Sequence, residues 1–170
     1  VGMTRLSFVP AMLFDMFRSP RATDELLSNV RYMVNGAAPL NLQLVDEITR
    51  RMPHCQLANG YGQTEAGGNS TVMPAFLAAD HPEKCGFGGI FTEHRIIDGD
   101  GNDVPPNTEG EILIRGPGMM MGYWNNPKAT AETIRDGWLY TGDIGTMDEQ
   151  GLITFIDRIK DIIISGGLNI

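Results

Sequence analysis

Two periods alternate along the first half of the chain. Leu44, Val45, Ile48 and Met52 recur three and four residues apart, which is the stripe of a helix with one buried face. Asn41 is a candidate cap for that helix, and Pro53 ends it. Residues 30–34 (VRYMV) are rich in β-branched and aromatic side chains and read as a buried strand; residues 56–58 read as a weaker one. Strand, helix, strand predicts a parallel βαβ unit. Upstream, Pro10 sits where a first helical turn tolerates proline, ahead of residues 11–18. Thr23 is a candidate cap for a short helix reaching Ser28.

Beyond about residue 85 the texture changes. Glycine becomes frequent, and short alternating runs at 92–97, 111–115 and 152–156 read as strands. The runs DGDG at 98–101 and DEQG at 148–151 read as hairpin turns. One helix interrupts, at about 127–135, and a further strand is expected at 162–164. The fold class expected is therefore an α/β part with parallel strands, followed by a small antiparallel β-barrel-like part.

Composition narrows the class. Of 170 residues, 42% are hydrophobic and 20% charged, a balance that supports a globular core. A net charge of -8 lacks the basic footprint that nucleic acid or an anionic membrane requires. No run of 18 apolar residues exists, so no membrane span is expected, and no signal peptide is visible. Cys55 and Cys85 are too few for a disulfide framework, and a cytoplasmic location is expected. The chain begins at Val1 and stops at Ile170 inside an apolar, glycine-bearing run. It is expected to be a fragment of a longer protein.

The chemistry concentrates in a few short runs. Asn59-Gly60-Tyr61-Gly62-Gln63-Thr64-Glu65 follows a predicted strand, and ligands bind at the carboxyl ends of strands in open α/β sheets. Gly60 and Gly62 let backbone approach a ligand, Tyr61 offers a flat face, and Thr64 offers a hydroxyl and an amide to a phosphate. Glu65 repels phosphate but can hold a magnesium ion that binds it. A glycine-rich turn with an exposed acid is the competing reading of that loop alone. Asn35-Gly36-Ala37-Ala38-Pro39-Leu40 also follows a strand, with an ordinary strand-to-helix connection as the alternative. In Trp138-Leu139-Tyr140-Thr141-Gly142-Asp143, an Asp at a strand end can accept two hydrogen bonds from a ribose diol, or can be a plain turn residue. Arg158 and Lys160 precede Ser165-Gly166-Gly167.

Taken in order, YGQTE, YTGD and DRIKDIIISGG resemble the adenylate-forming superfamily of acyl-CoA synthetases, aryl-CoA ligases, luciferases and peptide-synthetase adenylation domains. The resemblance implies that Gly36, Ala37, Ala38 and Pro39 flank one side of an adenine and that Tyr61 covers the other. It implies that Asn59 bonds the adenine amino group, Thr64 the α-phosphate and Glu65 a Mg2+ ion. Asp143 would hold the ribose hydroxyls with Arg158 in support. Lys160 falls on the family's hinge, and Gly166 and Gly167 line its pantetheine tunnel. The implied division is 1–80 as the C-terminal part of an α/β subdomain, 81–156 as the barrel-like subdomain, and 157–170 as the hinge with the start of a small C-terminal domain.

The implied reaction joins a carboxylic acid and ATP into an acyl-adenylate and pyrophosphate; coenzyme A then displaces AMP. Such chemistry needs positioning and charge stabilisation but no protein nucleophile, consistent with the scattered His54, His81 and His94. The Ile-Ser-Gly-Gly run at 164–167 resembles CoA ligases more than carrier-loading domains. Small residues at 66–68 leave room for a fatty or aryl acid. The alternatives are an adenylation domain loading a carrier protein, or a non-catalytic nucleotide-binding fragment. The family's upstream phosphate-gripping loop and its far C-terminal lysine have no counterpart here. The isolated 170 residues are expected to be inactive and, with unpaired sheet edges, to self-associate.

Overall fold

The computed structural model describes residues 2–36, 42–78, 80, 81, 83–159, 164, 165, 168 and 169. The chain opens with β1 (Arg5–Phe8), α1 (Pro10–Arg18), α2 (Asp24–Leu27), β2 (Tyr32–Asn35), α3 (Leu42–Arg51) and β3 (Gln56–Asn59). Short pieces follow: β4 (Gly62–Gln63), a 3-10 turn (Thr64–Ala66), β5 (Gly68–Asn69), β6 (Thr71–Val72), α4 (Ala75–Ala78) and β7 (Phe87–Gly88). Then come β8 (Glu93–Ile97), β9 (Gly110–Arg115), α5 (Pro127–Thr133), β10 (Ile134–Arg135), β11 (Trp138–Met147) and β12 (Ile153–Arg158). The last pair is β13 (Ile164–Ser165) with β14 (Leu168–Asn169). These elements fall into two units: Val1–Gly60 with Met73–Lys84 and Ile162–Ile170, and Tyr61–Val72 with Cys85–Asp161.

The first unit carries a parallel sheet in the order β1-β2-β3. The expected βαβ unit is β2-α3-β3. Its register aligns Leu6 with Met33 and Leu57, and Phe8 with Asn35 and Asn59, so β2 and β3 end level with one another. Strand β1 was not expected; four residues are too short a window for alternation to speak. The apolar stripe of α3 is buried as its spacing predicts: Leu44, Val45, Ile48 and Met52 all lie in the core, with Met33 and Leu57 from the sheet. The Thr23 hydroxyl caps α2 by accepting from Leu26 N at 3.4 Å. Asn41, the candidate cap of α3, lies outside the described residues. Arg51 ties the end of α3 down. It pairs with Asp24 at 2.7 Å, donates to the carbonyls of Phe17 and Ala22, and lies over the Phe17 ring.

The second unit is built on antiparallel strands in the order β10-β11-β9-β8, with β12 also on β11. Its core gathers Tyr61, Cys85, Ile96, Ile112, Ile114, Leu139 and Ile153. Strands β8, β9 and β12 stand where the alternating runs placed them. Two expectations change. Among the described residues the sheet stays open, so no closed barrel forms. Helix α5 ends at Thr133, and Ile134 and Arg135 turn back onto Leu139 and Trp138. The Asp136-Gly137 dipeptide makes that reversal, with φ of 51° and 78°, the left-handed pair that a two-residue hairpin requires.

Among the described residues, no helix is long and apolar enough to cross a membrane. Burial raises the thiols of Cys55 and Cys85 above their ordinary range.

Candidate active site

In the first unit, the level ends of β2 and β3 are joined by side chains. Asn35 Nδ2 donates to Asn59 Oδ1 at 3.0 Å, and the same oxygen accepts from Gly60 N at 3.1 Å. Asn59 Nδ2 donates to the Lys84 carbonyl at 3.0 Å. Both lone pairs of Asn59 Oδ1 are thus engaged, so an adenine amino group would have to displace one donor. Gly36 follows β2 with open space where a Cβ would stand, the nearest atom being Gly60 O at 3.9 Å. Ala37, Ala38 and Pro39 lie outside the described residues.

In the second unit, the YGQTE segment is pinned from its start. Tyr61 N donates to Thr71 Oγ1 at 2.8 Å, and Tyr61 O accepts from Ser70 N and Thr71 N at 2.8 and 3.0 Å. His94 Nε2 lies 3.0 Å from Ser70 Oγ, and burial lowers that imidazole to a pKa of about 4, so it is neutral at pH 7. Gly62 lies in β4 against β5, and a Cβ there would collide with the Gly68 backbone. Its place in the loop is therefore fixed by packing. Thr64 opens the 3-10 turn and is exposed; Glu65, the next residue, is half-buried. Tyr123 OH donates to Glu65 Oε1 at 2.8 Å, and Met120 N donates to Glu65 O at 2.8 Å. Nothing in the sequence pattern pointed to Tyr123, which lies 58 residues away.

Tyr61 and Asp143 meet across 82 residues of sequence. The Tyr61 hydroxyl donates to Asp143 Oδ2 at 2.8 Å, and its ring stacks on Phe155 with centroids 6.0 Å apart. Burial, and then the adjacent carboxylate, push the phenol far above its ordinary range, so it stays an O–H donor. Asp143 is 2% exposed. Its register partner on β12 is Arg158, whose Nε lies 3.0 Å from Oδ1. Oδ1 is buried and, this ion pair aside, accepts no hydrogen bond among the described residues. Burial raises the carboxyl above the usual carboxylate range; the Tyr61 hydrogen bond and the Arg158 charge pull the other way. The expected strand end is corrected here: Asp143 sits inside the ten-residue β11, at an irregularity in its pairing.

Asp143 is thus braced on both oxygens, by the Tyr61 hydroxyl on Oδ2 and by the Arg158 guanidinium 3.0 Å from Oδ1. The described residues contain no group of three or more His, Cys, Asp or Glu arranged to hold a metal. A single carboxylate such as Glu65 still fits Mg2+, which binds through one or two carboxylates and the phosphates of a nucleotide.

Residues 1–124 match the family model described as AMP-binding enzyme. This chain belongs to that family. Its relatives are of the acyl-CoA and aryl-CoA ligase kind. It is 42% identical to 4-coumarate--CoA ligase 2 of Nicotiana tabacum over 161 residues, 92% of this chain and 30% of that protein. It is 39% identical to a feruloyl-CoA synthase of an Amycolatopsis species over 162 residues, 95% of this chain and 33% of the other. Among solved structures it is similar to the o-succinylbenzoate coenzyme A synthetase of Bacillus subtilis in complex with ATP and magnesium ion. The TM-score there is 0.81 at 30% identity, covering 99% of this chain and 34% of that one. The AMP-binding chain thus spans about a third of the length of these relatives. Its Lys160, Gly166 and Gly167 lie outside the described residues.

Proposed function

We propose that this chain is the nucleotide-handling part of an AMP-forming acid–thiol ligase. The observation that carries the reading is Asp143: a buried carboxylate, tied by Tyr61 on one oxygen and facing Arg158, with hydrogen-bonding capacity left on the other. In this reading Asp143 accepts from the ribose hydroxyls, and Arg158 keeps it ionised and aimed. Thr64 donates to the α-phosphate. Glu65, oriented by Tyr123, would hold Mg2+, which neutralises phosphate charge as the reaction develops. Tyr61 supplies a flat face for the base.

The reaction would run in two steps. A carboxylate oxygen of the acid bonds to the α-phosphorus of ATP, and the bond to pyrophosphate breaks. The thiolate of coenzyme A then attacks the acyl carbon, and AMP leaves. The protein's part in the first step is alignment and charge stabilisation. The resemblance of residues 164–167 to CoA ligases, and relatives named for 4-coumarate and feruloyl-CoA, favour CoA as acceptor and an aryl acid as substrate. Lys160 is proposed as the hinge, with 1–80, 81–156 and 157–170 as the functional divisions of the chain.

Pyrophosphate exchange into ATP, measured on the full-length protein across aryl, fatty and amino acids, tests this. Exchange dependent on aryl acids, lost in Asp143→Ala and Glu65→Ala, is the expected result. Exchange with amino acids alone would favour the carrier-loading alternative, and a folded protein with no exchange would sink the enzyme reading.

A further inference from the structure

The pairing of β11 with β9 contains a gap. Leu139 faces Ile114 and Tyr140 faces Leu113, and pairing resumes only at Ile144 with Glu111. Thr141, Gly142 and Asp143 therefore stand against Ile112 alone, an expansion that strips ladder partners from the backbone. Side chains replace those partners. Thr141 Oγ1 donates to Ile112 O at 2.6 Å and accepts from Asp143 N at 3.0 Å. Glu111 Oε1 accepts from Gly142 N at 2.9 Å. On the β12 side, Ile159 N donates to Gly142 O at 2.8 Å. Gly142 itself has φ of 70°, a left-handed backbone that glycine alone adopts without strain. The Glu111 bond is the charge-assisted one in this set, and it holds the residue immediately before Asp143.

We propose that Glu111 is a positioning residue for ribose recognition. Its carboxylate fixes the Gly142 amide, and so sets the direction in which Asp143 presents Oδ1, the oxygen that faces Arg158. This rests on the reading of Asp143 as the ribose acceptor. A Glu111 that only stabilised the sheet would alter melting temperature and leave sugar preference alone.

The test compares affinities for AMP and 2′,3′-dideoxy-AMP by calorimetry on the full chain, in wild type, Glu111→Gln and Glu111→Met. Glutamine keeps an oxygen that accepts from Gly142 N; methionine fills the space and accepts nothing. Wild type is expected to prefer AMP by about tenfold or more, the worth of a hydrogen bond to a charged group. Glu111→Gln keeps that preference to within about threefold, while Glu111→Met loses most of it with dideoxy-AMP affinity unchanged. Hydrogen exchange at the Gly142 amide should quicken in Glu111→Met only. If the methionine variant does not fold, Glu111→Asp, one methylene too short to reach, takes its place with the same expectation. A folded methionine or aspartate variant that keeps the full ribose preference overturns the proposal, as does a glutamine variant that loses it. A wild type indifferent to the ribose hydroxyls overturns the Asp143 reading, and this inference with it.

Discussion

Asp143 is a carboxyl whose burial raises its pKa, and that shift acts in opposite senses on binding and on stability. Ribose hydroxyls need an ionised acceptor, so AMP affinity is expected to fall as pH drops through the raised value; Asp143→Asn should flatten that profile in a titration by calorimetry. In the free protein the folded state holds the proton more tightly than the unfolded chain. Stability therefore declines as pH rises from the ordinary value of 3.8 through the raised one, and the loss is complete above it. His94 behaves the other way. Its folded value of about 4 lies below the ordinary 6.5, so the unfolded chain takes up the proton first. Its contribution is fully present above pH 6.5 and is lost as pH falls to about 4. Acid unfolding followed by circular dichroism should show a weaker dependence in that window for His94→Gln. Both residues illustrate a limit of sequence reading. Asp143 was legible because it stands in a short run of distinctive types, but the raised pKa was not, because it comes from burial, and burial depends on how distant stretches pack around the carboxyl.

Elements with one clear period are legible in the sequence, and elements fixed by pairing are not. The spacing of Leu44, Val45, Ile48 and Met52 alone puts them on one face of α3, and all four are buried. Ile48→Ala should cost about 2–4 kcal/mol in urea unfolding, since a fully packed position leaves a cavity. The strands β4 to β7 have two residues each and no period to read; their existence depends on tertiary partners such as Gly62 with Asn69 and Thr71 with Gly88. The Thr141–Asp143 expansion in β11 is likewise a property of two strands, so a one-dimensional pattern reports it as a strand end. In the β4-β5 hairpin, Gly62→Ala is expected to destabilise by about 1–3 kcal/mol, because the new Cβ meets backbone rather than a movable side chain. A melting temperature unchanged from wild type would show that this hairpin can shift to admit it.

Over the whole chain, the parallel sheet of the first unit has β1 and β3 at its edges among the described residues, and Phe76 is 79% exposed in the same unit. Unpaired edges and bare aromatic surface favour association. The 170 residues expressed alone should therefore sediment as a concentration-dependent mixture. A monomer unaffected by dilution would contradict this. The second unit differs in how its parts are joined: Tyr61 bonds to Asp143 82 residues later, and Glu65 to Tyr123 58 residues later. The units are also interleaved, since Met73–Lys84 of the first lies between Tyr61–Val72 and Cys85–Asp161 of the second. On the ribosome this order has a consequence. The segment bearing Tyr61 and Glu65 is made before Asp143, so a nascent chain stalled near residue 120 would hold Tyr61 without the carboxylate its hydroxyl bonds. If Asp143 holds the ribose as proposed, nucleotide is expected to steady this fold after Asp143 has cleared the exit tunnel.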